Sequence, residues 1–137
     1  MLRRSNSFGG STITQQTIKN LSGNNEKTIK RKYNEFLRAL NIEKRYSKDQ
    51  ILELYLNIVP MTGDMHGVGG GSRAYFGKKP SELSVEEAAT LAAITTSPAK
   101  YHPVKHPEAC LKKRNTVLYA MYKNGCISYD EYTRATN

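Results

Sequence analysis

The chain has 137 residues, which is one domain's worth and long enough to bury a core. Hydrophobic content of 38% with Gly 10 and Pro 5 excludes a disordered chain, and no apolar run approaches the roughly 18 residues that a membrane span needs. The net charge of +9, from 21 Lys and Arg against 12 Asp and Glu, points to an anionic partner: nucleic acid, an acidic membrane surface or a phosphate-bearing substrate.

Every periodic segment is helical and the stops are Gly or Pro, which is an all-α pattern without internal repeats. The N-terminal Met-Leu-Arg-Arg-Ser-Asn-Ser has a basic start but no apolar stretch after it, so it is not read as a secretory signal. A first helix is predicted from Ser11, taken as its N-cap, through Ile13, Ile18 and Leu21 to Ser22-Gly23. A second, from about Glu26 to Arg45, places Ile29, Tyr33, Phe36, Leu37 and Leu40 on one inward stripe and cations on its other face. Ser47 to Gln50 reads as a capping box opening a third helix, with Ile51, Leu52, Tyr55 and Leu56 inward and Pro60 as the stop.

Residues 63–71, with five glycines, lack the spacing of a nucleotide cradle and are expected to form a flexible or tightly turned connection. A second capping box, Ser84 to Glu87, leads Ala88, Leu91, Ala92 and Ile94 into a core helix that ends before Pro98. A further helix runs from about Pro107 to Asn124, closed by Gly125, and Ser128 to Glu131 caps a short last one. Cys110 and Cys126 have neither redox nor zinc spacing and read as inert free thiols. Pro103 falls between His102 and His106, against a helical metal face; His66 stands alone, and neither a metal site nor a cofactor is expected.

Two segments carry chemistry. Glycines before a helix start let a ligand approach the backbone, and free N–H groups with the hydroxyls of Ser11, Thr12 and Thr14 offer donors to phosphate oxygens. Gln15 and Gln16 add amide donors, and Lys19 shares a helix face with Gln16. A capped surface helix explains the same residues equally well. On the second helix Glu35 faces away from the apolar stripe, with Arg31 at i−4, Lys32 at i−3 and Arg38 at i+3. Such a carboxylate suits holding positive charge better than donating a proton; the alternative is a solvated helix face laced with ion pairs.

The segment Gly9-Gly10-Ser11-Thr12-Ile13-Thr14-Gln15-Gln16, then Arg31-Lys32-Tyr33-Asn34-Glu35, then Lys48 through Asn57, resembles three ordered motifs of the peptidoglycan glycosyltransferases. These are the lysozyme-like transglycosylase domains of class A penicillin-binding proteins. Their fifth motif is matched at Lys113, Val117 and Leu118, with a lysine where the family has arginine, so a bidentate carboxylate clamp is not expected there. The resemblance implies a lysozyme-like all-α domain that polymerises lipid II with inversion, undecaprenyl pyrophosphate leaving. It assigns Glu35 as catalytic and Ser11, Thr12, Gln15, Gln16, Lys19, Arg31 and Lys32 as contacts to substrate or pyrophosphate.

That family carries its principal catalytic glutamate upstream of the Gly-Gly-Ser-Thr segment, and Met1 to Phe8 hold no Asp or Glu. The expectation is therefore one partial domain over residues 1–137, without the first motif and without an anchor of its own. A missing general base costs about two to four orders of magnitude in rate, so weak activity is expected of the chain alone. Partners implied are lipid II, the growing glycan chain and the outer face of a bacterial membrane, with a transpeptidase domain or the missing N-terminal segment alongside. Two other readings stay open: a non-catalytic binder of the lipid-linked precursor, and a basic helical nucleic-acid binder. No nucleic-acid motif supports the latter, so no nucleic acid is expected as a partner.

Overall fold

In a computed structural model residues 11–23 and 28–137 are described, and among them the architecture is all-α, without a strand. None of their helices is long and apolar enough to cross a membrane. Seven α-helices follow in order: α1 (Ile13–Ser22), α2 (Ile29–Arg45), α3 (Lys48–Ile58), α4 (Gly67–Phe76), α5 (Val85–Thr96), α6 (Pro107–Lys123) and α7 (Tyr129–Thr136). The chain divides into two compact units, the first ending at Tyr55 and the second running Leu56–Asn137.

In the first unit α1 packs on α2. Thr12, not Ser11, is the N-cap of α1: its hydroxyl accepts from the Gln15 amide, and the Gln15 side chain accepts from the Thr12 amide. Gly23 closes the helix at φ 62. Thr28 caps α2; the expected start near Glu26, like Gly9 and Gly10, lies outside the described residues.

The burial of α2 reverses the expected orientation. Ile29 is 91% exposed, and Tyr33, Phe36, Leu37 and Leu40 are all exposed, while Glu35 and Ala39 are buried. The cause is the docking of α1. Lys32, Glu35, Ala39 and Glu43 recur at i, i+3, i+7 and i+11, one face of a helix. Ser11 bonds Lys32 and Thr14 bonds Glu43, so α1 covers that face. In α3 the capping box of Ser47 and Gln50 forms and Ile51 is buried, but Leu52 and Leu56, expected inward, are exposed.

In the second unit α5 packs on α6 and both meet α7, around a core of Ala89, Leu118, Ile127 and Ala135 with Val85, Val117, Met121, Tyr122 and Tyr132 against it. Capping boxes at Ser84/Glu87 and Ser128/Glu131 start α5 and α7 where expected. Leu91 and Ile94 are buried as expected, but the alanines beside them on the covered face are Ala89 and Ala93, with Ala88 and Ala92 exposed. Of the glycine-rich segment 63–71, expected as a turned connection, residues 63–66 turn while Gly67 to Gly71 form the first half of α4. Its low intrinsic propensity is offset by packing: Gly71 lies against Met61 and Leu91, and buried Ser72 donates to the Lys78 carbonyl at 2.7 Å. Cys110 is buried, which pushes its thiol up, and Cys126 is exposed.

Candidate functional site

The site is built on α1 and α2 within the first unit. Glu35 is 5% exposed, and such a burial demands paired charge. Both carboxylate oxygens are taken: Arg31 Nη1 lies 2.5 Å from Oε2, and Lys32 Nζ lies 2.9 Å from Oε1. The ammonium of Lys32 also donates to Ser11 Oγ at 2.6 Å. Helical spacing explains the convergence, because i, i+3 and i+4 side chains share one face. Tied in this way, Glu35 is an acceptor that fixes two cations.

Beside this cluster α1 and α2 flank a half-open cavity of about 470 Å³ lined by Ile18, Lys19, Ser22, Thr28, Lys30, Arg31, Asn34, Glu35 and Arg38. Four cations face one carboxylate there, so the cavity carries a positive field suited to a multiply charged anion.

Of the residues expected at the site, Ser11, Arg31, Lys32 and Glu35 form one hydrogen-bonded cluster, and Lys19 reaches the cavity from α1. Thr12 and Gln15 are occupied with each other as the cap of α1, and the Gln16 amide donates to the Ser11 carbonyl at 3.5 Å. Thr14, a hydroxyl singled out as a phosphate donor, instead donates to Glu43 Oε1 at 2.6 Å. Sequence reasoning left Lys30 and Asn34 out and took Arg38 only as a neighbouring charge of Glu35, not as a contact to substrate. The signal for two of them was present: Arg31, Asn34, Glu35 and Arg38 fall at i, i+3, i+4 and i+7.

A family profile described as Transglycosylase matches residues 1–122. The chain belongs to the transglycosylase family. Over 129 residues it is 47% identical to penicillin-binding protein 1A of Aquifex aeolicus (strain VF5), covering 94% of this chain and 18% of that protein. Over 128 residues it is 46% identical to penicillin-binding protein 1A/1B of Bacillus subtilis (strain 168), covering 93% of this chain and 14% of that protein. A crystal structure of penicillin-binding protein 1A from Haemophilus influenzae shares the fold with a TM-score of 0.63 at 24% identity, over 93% of this chain and 16% of that one. The chain thus spans less than a fifth of the length of these relatives. The resemblance read from its motifs holds: it is a transglycosylase domain of the kind found in class A penicillin-binding proteins, and the all-α fold follows with it.

Proposed function

We propose that the chain serves peptidoglycan glycan-strand polymerisation from lipid II at the outer face of a bacterial membrane, its α1/α2 cavity receiving the diphosphate of the lipid-linked sugar. The observation that carries this reading is the buried Glu35 holding Arg31 and Lys32 beside a cavity that Lys19, Lys30 and Arg38 also line. A diphosphate leaving group needs its growing charge stabilised, and donors already fixed in place do so without reorganising. In this reading Lys19 and Arg31 meet the phosphates inside the cavity, Glu35 holds Arg31 and Lys32 in place, and Ser11, Lys32 and Gln16 serve the ligand from beside it. The domain works as part of a larger polymerase that includes a transpeptidase.

One observation favours a second reading. The only carboxylate lining the cavity among the described residues has both oxygens tied to cations, which suits binding the precursor without activating a nucleophile. A gel assay of glycan polymer formed from labelled lipid II, run with the chain and with Glu35→Gln, tests both. Undiminished polymerisation by Glu35→Gln sinks the role given to Glu35; lipid II retained by the unaltered chain without polymer moves the conclusion to the binder.

A further inference from the structure

Thr17 turns its hydroxyl back to its own helix, donating to the Ile13 carbonyl at 2.8 Å, as threonines within helices commonly do. Thr14 sends its hydroxyl off the helix instead, to Glu43 Oε1 near the far end of α2. Thr14 is buried, and the same Glu43 oxygen lies 3.5 Å from Lys48 Nζ at the start of α3. A hydroxyl donating to a carboxylate is among the stronger side-chain hydrogen bonds. The bond also draws the Glu43 carboxyl below the usual range, with the Thr14 hydroxyl as the chief cause.

Lys32 and Glu43 are three turns apart on α2, roughly 16 Å. Both hold the first turn of α1 or the residue leading into it, Lys32 through Ser11 and Glu43 through Thr14. The two ties leave neighbouring positions at the start of α1 for points far apart on α2, so with the buried Thr17 and Ile18 they fix the angle at which α1 crosses α2. The cavity lies between the same two helices, with Lys19 on one wall and Arg31, Glu35 and Arg38 on the other. Its width and the aim of Lys19 are therefore set by how α1 is seated.

We infer that Glu43 is a positioning residue of the cation cavity: acting through Thr14, it seats α1 on α2 so that Lys19 converges with Arg31 and Arg38 on one diphosphate. This rests on the reading of the cavity as a diphosphate site. Glu43 does not touch the ligand, and its effect has a sign of its own. Removing a carboxylate near a cationic cavity strengthens anion binding by charge alone, whereas unseating α1 weakens it.

The test is calorimetric titration of the chain with inorganic pyrophosphate, alongside thermal melts of each variant. Glu43→Met and Thr14→Val are expected to lose about tenfold in affinity, Thr14→Ser to bind as the unaltered chain does, and the double variant to be no weaker than either single one, as for two ends of one contact. Tighter or unchanged binding by Glu43→Met overturns the inference, whatever its melting temperature. Should that variant not fold, the nearly isosteric Thr14→Val decides in the same way. Failure of the unaltered chain to bind pyrophosphate is a different result: it sinks the diphosphate reading of the cavity and this inference with it.

Discussion

Glu35 is 5% exposed in α2, and Phe36, the next residue along, is 47% exposed. The helix has its charged face under α1 and its apolar face open. A buried carboxylate is tolerable only while its cations stay in place, so the Arg31 and Lys32 contacts are structural as well as electrostatic. Arg31→Met should cost about 3 kcal/mol in urea unfolding, because Lys32 alone must then neutralise Glu35. Adding Glu35→Leu should recover part of the loss. A cost below about 1 kcal/mol, in the range of a surface pair, would show that the carboxylate is solvated after all.

The two faces of α2 should also answer differently to changes of size and polarity. Phe36→Gln removes an exposed ring and is expected to change stability by no more than about 0.5 kcal/mol. Ala39→Leu forces volume into the contact with α1 and should cost about 1–3 kcal/mol. Equal costs from the two would contradict the orientation of α2.

Much of this fold is legible in the residues. Ser47, Ser84 and Ser128 start their helices because a hydroxyl and a Gln or Glu three residues on satisfy free amides locally. The ion cluster of Arg31, Lys32 and Glu35 is legible for the same reason, since helical spacing alone brings it together. What escapes is set by packing. The five apolar residues of α2 form a regular stripe, yet which face is covered depends on Ser11 and Thr14 reaching Lys32 and Glu43 from another helix. The glycines of α4 read as a loop because propensity counts only the local chain, not the contacts that Met61 and Leu91 make with Gly71.

Within α4 the glycines should separate by substitution to alanine. Gly67 has φ +74, and a Cβ there would lie 2.5 Å from the Asn57 carbonyl oxygen. Gly67→Ala therefore carries both a strained backbone and a clash with main chain; a loss of at least about 2 kcal/mol is expected in thermal unfolding. Gly69 sits inside the helix with nothing within 4 Å of its missing Cβ, and Gly69→Ala should stabilise by about 0.5–1 kcal/mol. A stabilising Gly67→Ala would refute this placement of the chain at the start of α4.

Acid should loosen the second unit by an identifiable route. The Lys78 ammonium, first, and then the Ser84 amide hold the Glu87 carboxyl below its ordinary 4.5, and the Ser128 amide does the same for Glu131. A carboxyl depressed in the folded chain binds its proton more readily when unfolded, so it adds stability above the unfolded value, and that contribution is lost as pH falls through the folded one. Melting temperatures of the chain and of Glu87→Gln should therefore run parallel above about pH 5.5 and converge below 4.5. Lys78→Met should reproduce much of that convergence by removing the largest cause. The contact is partly open to water, at 43% and 19% exposure of the two side chains, so high salt should shrink the difference. If the two curves keep a constant gap from pH 6 to pH 3, the loss in Glu87→Gln is one of packing, and the Lys78 pairing contributes nothing that titrates.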